Sequence, residues 1–232
     1  MERKLQLQSN LELVRQEITQ ACLAAQRAPS EVTLIVVTKT WPASDVEILA
    51  ELGVTDVGEN RDQEAKPKCE ELKDLNLTWH AIGQLQTNKA KSVATWADVV
   101  HSVDRVDLVN ALTKAVLART KPLAVLIQVD LDPSPKDNRG GALPSEVMEL
   151  AALINQSPGL ELQGVMGVAP LNGDDAQAFS LLQEVSQQVT QFKSSANWIS
   201  AGMSGDFEIA LKFGATHLRI GSSILGNRAF QG

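Results

Sequence analysis

Tyrosine is absent from all 232 residues, so no phenol is available as a general acid or base. Cysteine occurs only twice, at Cys22 and Cys69, each inside a stretch patterned as helix. Two thiols in a chain this long argue for a reduced, cytoplasmic protein rather than a disulfide scaffold. Positive charge is scarce: 21 Lys and Arg against 28 Asp and Glu leave a formal charge of −7 and a pI near 5.0. Nucleic acid and anionic membranes need a cationic face, so neither is expected as a partner. No apolar run approaches the roughly 20 residues of a bilayer span. Met1-Glu2-Arg3-Lys4-Leu5 leads into a charged amphipathic pattern, so no signal peptide is expected. No His, Cys and carboxylate spacing reads as a zinc site, and no serine stands in a nucleophile-elbow context.

What is present is a chain with 44% hydrophobic residues, enough for one large core and one barrel-sized domain spanning 1–232. Apolar positions Leu7, Leu11, Val14, Ile18, Ala21, Cys22 and Ala25 recur at steps of three and four, predicting an amphipathic helix over about 4–27. The N-terminal segment 1–28 is expected to pack on the outside or bottom of the fold. Beyond it, Glu31 to Pro42 is rich in β-branched residues and reads as a strand buried on both faces. The strand–helix alternation then repeats. Ser44 and Glu47 have capping-box spacing, and Gly53 suits a helix C-terminus. Further strands are expected at 54–57, 77–82, 97–103, 123–129, 160–166, 197–200 and 216–220, with a long polar loop at 130–141. Eight strands alternating with helices predict a (β/α)8 TIM barrel, with a doubly wound open sheet as the alternative.

In such folds the chemistry lies at the carboxyl ends of the strands. Lys39 stands at the exit of the first; held against apolar walls, its amine would lose hydration and become a nucleophile toward aldehydes. A lysine that merely points into water is the plainer reading. Barrels often build phosphate sites after strands seven and eight, and those loops read Met203-Ser204-Gly205 and Gly221-Ser222-Ser223. Arg219 lies on an apolar strand and carries only donors, so it needs partners: a ligand heteroatom, or a carboxylate such as Asp56 or Asp98. His80, His101 and His217 on strands are expected as satisfied core residues. Lys89 and Lys91 are expected at a solvated helix start, within reach of an anion.

Val37-Thr38-Lys39-Thr40, Gly58-Glu59-Asn60, Trp79 to Lys89, Gly202-Met203-Ser204-Gly205-Asp206 and Arg219-Ile220-Gly221 occur in the order and spacing of one family. End to end, the chain resembles the pyridoxal-phosphate homeostasis proteins (YggS/PROSC type, PipY-like). That family looks like the barrel domain of alanine racemase standing alone, a fold-type III pyridoxal-phosphate protein. The resemblance implies Lys39 as the Schiff-base lysine for pyridoxal 5'-phosphate, and Ser204, Gly221 and Ser222 around its phosphate. It implies Arg219 at the pyridine nitrogen, Asn60 beside the ring, and His80 and Met166 lining the pocket. Ala81 stands where an aromatic is common, and Ala201 where a methionine is usual.

Arginine cannot accept a proton, so the ring nitrogen opposite Arg219 would be a poor electron sink. Resembling racemases also need a second base, a tyrosine from a separate domain, and this chain has neither. The expected function is a cytoplasmic, monomeric carrier or buffer of the cofactor, handing it to pyridoxal-phosphate-dependent apoenzymes. A weak amino-acid racemase and, should the resemblance mislead, a Schiff-base aldolase are the competing readings.

Overall fold

A computed structural model describes residues 2–132, 140–171 and 173–226. Its eight strands are β1 (Thr33–Val37), β2 (Asp56–Glu59), β3 (Thr78–Ala81), β4 (Val99–Val103), β5 (Leu123–Gln128), β6 (Leu160–Met166), β7 (Trp198–Ser200) and β8 (His217–Ile220). Each pairs in parallel with the next, and β8 pairs with β1, closing the barrel. The expected eight-stranded barrel is the observed fold. Around it run α1 (Glu2–Ala24), α2 (Ala43–Glu51), α3 (Asp62–Glu71), α4 (Ala90–Val93), α5 (Val106–Ala115), α6 (Val147–Gln156), α7 (Asp175–Phe192), α8 (Phe207–Lys212) and α9 (Ser222–Leu225).

Alternation along the strands splits the core in two. Val36, Val57, Trp79, Val100, Val125, Val165, Ile199 and Leu218 belong to the cluster shared with the helices. Val99, Leu126 and Met166, with Ala124 and Trp198 against them, form a separate cluster. Their strand positions alternate with the first set, so they fill the barrel interior. Gly164 serves close approach on β6: a Cβ there would stand 2.0 Å from the Trp198 carbonyl oxygen.

The buried stripe of α1 is Leu7, Leu11, Val14, Ile18 and Cys22. Each such side chain contributes about 1.5–3 kcal/mol by leaving water. The helix ends earlier than its periodicity suggests: Gln26 turns to φ 56° and Arg27 N–H bonds back to the Cys22 carbonyl at 2.9 Å. Pro29 then opens a separate 3₁₀ turn (Pro29–Glu31). The helix lies in the outer ring and holds the last element. Arg3 Nη2 and Asn10 Nδ2 donate to the carbonyls of Leu225 (3.1 Å) and Ile224 (2.9 Å) in α9.

Two further expectations are corrected. Ser44 is not an N-cap: Pro42, at φ −69°, takes that position and α2 begins at Ala43. β2 starts at Asp56, two residues later than the apolar pattern implied, because the Val54 N–H is occupied by the Leu49 carbonyl. Gly53, at φ +79°, does follow the end of α2 as expected. Of the polar loop at 130–141, residues 133–139 lie outside the described residues. No helix among the described residues is long and apolar enough to cross a membrane.

Candidate functional site

The exit of β1 is a tight turn. Trp41 N–H bonds to the Thr38 carbonyl at 3.1 Å, with Lys39 and Thr40 between them and Thr40 at φ 72°. A β-branched residue in that region stores about 1–3 kcal/mol of strain, so the surroundings must impose it. They do. Thr40 N–H donates to Glu64 Oε2 at 3.0 Å, and buried Thr38 donates through Oγ1 to Glu59 Oε1 at 2.7 Å. Lys68, from α3, donates to the Thr38 carbonyl at 3.0 Å and pairs with the same Glu59 oxygen. Burial pushes the Glu59 carboxyl up, opposed by Lys68 and Thr38, and its Oε2 has no hydrogen-bond partner among the described residues. Lys39 itself is exposed, not pressed against apolar walls. The strand stops at Val37, two residues short of Lys39, and leaves it on the turn beyond the sheet.

Closure of the barrel carries this turn to the exit of β8. Val36 pairs with Ile220, and Gly221 passes so close to Val37 that a Cβ would stand 3.0 Å from its carbonyl oxygen. Beside it, Ser204 after β7 and Ser222 at the start of α9 bring their hydroxyls to 3.3 Å. Asp206 Oδ1 accepts from Met203 N–H and so ties down the β7 loop. Burial raises the Asp206 carboxyl against that bond. Ser222 opens a helical turn whose first N–H groups have no intrahelical acceptor. Two hydroxyls and the N–H groups that open α9 are suited, at one corner, to an anion.

Arg219 is buried in β8. Its Nη1 donates to Ser200 Oγ at 2.6 Å and its Nη2 to the Gly167 carbonyl at 2.9 Å. Among the described residues no carboxylate pairs with it. Asp56 instead bonds to His80 Nε2 at 2.9 Å, and Asp98 accepts from Trp79 N–H at 2.9 Å. Burial lowers the Arg219 pKa to about 10, so it remains a cation held by neutral groups. His80 Nδ1 meets His101 Nε2 at 2.9 Å, and His101 Nδ1 meets Ser200 Oγ at 2.9 Å. The histidines are thus satisfied interior residues, as expected. Burial holds His101 well below the usual imidazole value.

Asn60 is exposed immediately after β2, and Gly83 packs on its backbone: a Cβ at 83 would stand 2.3 Å from the Asn60 carbonyl oxygen. A cleft of about 450 Å³ opens here, lined among others by Glu59, Asn60, Gln84, Lys89 and Trp96. Lys89 closes a 3₁₀ turn before α4 and approaches Asp62 at 3.9 Å. Met166 sits in the interior cluster two residues along the chain from the wall formed by Gly164. Among the described residues no group of three or more His, Cys, Asp or Glu could hold a metal ion.

The structure therefore joins Ser204, Gly221 and Ser222 into one corner, next to the strand exit that bears Lys39, with Arg219 on the strand leading to it. Sequence reasoning missed the Thr38–Glu59–Lys68 lock and the Ser200 contact. The signal for the second was polar residues at alternating positions of β8 (His217 and Arg219) and Ser200 at the end of β7, which mark the interior face.

The family model described as "Alanine racemase, N-terminal domain" matches residues 7–229. A pyridoxal phosphate homeostasis protein of Mycobacterium leprae is 40% identical over 243 residues, covering 97% of this chain and 94% of that protein. PipY of Synechococcus elongatus is similar in structure both without PLP (TM-score 0.83, 31% identity) and with PLP bound (TM-score 0.79, 30% identity). Each comparison covers 95% of this chain and 100% of PipY. Alanine racemase of Corynebacterium glutamicum shares the fold, at TM-score 0.70 and 12% identity, over 95% of this chain and 60% of the racemase.

Proposed function

The chain belongs to the pyridoxal phosphate homeostasis proteins, within the alanine racemase N-terminal-domain family, and on that premise we propose that it binds pyridoxal 5'-phosphate and acts as a carrier and buffer of it, with little or no catalysis. The unit proposed is a single-domain cytoplasmic monomer that hands the cofactor to apoenzymes. The observation that carries the proposal is the 3.3 Å approach of Ser204 and Ser222 at the exits of β7 and β8, beside the exit of β1.

The residues present fit the cofactor. Ser204 and Ser222, with the N–H groups of the α9 turn, supply donors for a phosphate. Lys39, on a turn held by Glu59, Glu64 and Lys68, presents an exposed amine to an aldehyde. Arg219, a buried cation that no carboxylate among the described residues pairs with, has guanidinium N–H groups to offer a ring acceptor. Asn60 would line the ring from the exit of β2, with His80 and Met166 from the interior. When bound, the cofactor supplies an aldehyde for reversible condensation with amines and a ring able to withdraw electrons.

The same residues limit chemistry. Arg219 takes no proton, so it leaves a ring nitrogen unprotonated and the ring a weak electron sink. A second base on the far side of a substrate Cα would have to reach it by hydrogen bonding, and the chain has no tyrosine to do so. The purified protein is expected to carry a visible absorption band that Lys39→Ala removes or shifts. Neither form is expected to exchange the Cα hydrogen of alanine or serine for deuterium. A wild type that takes up no added cofactor overturns the binding; measurable Cα exchange overturns the carrier role.

A further inference from the structure

A row of hydrogen bonds crosses the barrel interior, from Asp56 at the start of β2, through His80 and His101, to Ser200 and Arg219 at the far ends of β7 and β8. Its links measure 2.9, 2.9, 2.9 and 2.6 Å in that order. The interior thus holds an apolar group, Val99, Leu126 and Met166 with Ala124 and Trp198 against them, and beside it this polar row.

Donor and acceptor rules give this row a direction. Arg219 has only N–H groups, so Ser200 Oγ accepts from it. Among the described residues the one remaining partner of the Ser200 hydroxyl is His101 Nδ1. Suppose that nitrogen carried the hydrogen. Ser200 would then face two donors, and its own proton would have no acceptor. His101 Nε2 would also need a hydrogen from His80, which must donate to Asp56 as well and would be doubly protonated. With the hydrogen on His101 Nε2, every donor meets an acceptor: Arg219 to Ser200, Ser200 to His101, His101 to His80, and His80 to Asp56. Thr55 Oγ1 donates to the other Asp56 oxygen at 2.7 Å, which fixes the carboxylate at the end of the row.

We infer that Asp56 is a remote positioning residue for the cofactor site: by accepting from His80 it sets the tautomers of both histidines, turns a Ser200 lone pair toward Arg219, and so holds the guanidinium in place. The Gly167 carbonyl anchors the other side of the same guanidinium. Only the last step, from Arg219 to a cofactor ring, rests on the pyridoxal phosphate reading; the row itself concerns this chain alone.

Two measurements test it separately. The first is ¹⁵N NMR of the imidazole nitrogens in protein stripped of cofactor, for wild type, Asp56→Ala and Asp56→Asn. Wild type and Asp56→Asn, which keeps an acceptor oxygen, are expected to show Nε2–H at His80 and His101. Asp56→Ala is expected to move His101 toward Nδ1–H. The second is titration with pyridoxal 5'-phosphate. Asp56→Ala is expected to raise Kd about tenfold and shift the absorption band of the bound cofactor, with Asp56→Asn within about twofold of wild type. Nδ1–H at His101 in the wild type overturns the inference, as do unchanged affinity and band in Asp56→Ala. Should Asp56→Ala fail to fold, Ser200→Ala breaks the link next to Arg219, and an unchanged band there overturns it equally. A wild type that binds no cofactor overturns the carrier role instead, and the NMR still decides the row.

Discussion

Ser204 Oγ and Ser222 Oγ stand 3.3 Å apart although they follow different strands, because β7 and β8 are neighbours in a closed barrel. Each hydroxyl donates to a charged phosphate in the proposed complex, a bond worth about 1.5–3 kcal/mol. Ser204→Ala combined with Ser222→Ala is expected to weaken pyridoxal 5'-phosphate binding by about 3 kcal/mol or more, over a hundredfold. Arg219→Ala is expected to weaken it less, since phosphate donors anchor whereas a ring contact tunes. A fluorescence titration ranks the two, and the reverse order contradicts the assignment.

Lys68 and Glu59 form a buried pair beneath the turn that carries Lys39. Lys68→Met leaves the carboxyl of Glu59 without its main counter-charge, at a cost of about 3–5 kcal/mol. Thermal or urea unfolding should show that loss, and the double variant Glu59→Gln, Lys68→Met should recover a large part of it. Equal stability of the single and double variants would show that the pair is not the cause.

Acid should loosen the barrel before the carboxylates titrate. Burial, with help from His80 and Arg219 and against Asp56, lowers His217 from 6.5 to about 4, and burial also holds His101 well below its ordinary value. Since both folded values lie below the unfolded one, this stability is complete above about pH 6.5 and falls as pH drops toward the folded values. At pH 5 His217 alone accounts for about 2 kcal/mol. Burial works to raise Asp56, but bonds from His80 and Thr55 win and depress it, so its contribution disappears only below its ordinary 3.8. Urea unfolding from pH 7 to 4 measures the slope, and His217→Gln should flatten it. A flat wild-type profile would refute the argument.

Gly83→Ala places a Cβ 2.3 Å from the Asn60 carbonyl oxygen, backbone that cannot swing aside. The expected result is a stability loss of about 1–3 kcal/mol and weaker cofactor binding as the Asn60 turn is displaced. Gly205→Ala meets nothing within 4 Å and should leave the unfolding midpoint nearly unchanged. Similar midpoints for both variants would show that the close approach at Gly83 is relieved elsewhere.

Much of this was legible in the chain. Parallel strands buried on both faces read as apolar runs, and those at 123–129 and 160–166 match β5 and β6 nearly end to end. Loops at strand exits carry recognisable glycine and serine signals, so the corner that joins Ser204 to Ser222 was visible as two separate turns. Exits were harder, because hydrogen bonding rather than composition decides where a strand stops. The run from Glu31 to Pro42 contains a five-residue strand, and Thr38 leaves it to serve Glu59 and Lys68.

By itself the sequence determined the alternation of strands and helices, the lack of any phenolic base, and the identity of the lysine, serines and arginine at strand exits. Local periodicity and composition encode those things because each depends on residues a few positions apart. Only the tertiary structure decided that Lys39 is exposed on a strained turn, that Ser204 meets Ser222, and that Arg219 is tied through Ser200 to a row ending at Asp56. Those facts follow from closure of the barrel, which sets β8 against β1 and turns alternate side chains from β2 through β8 into one shared interior.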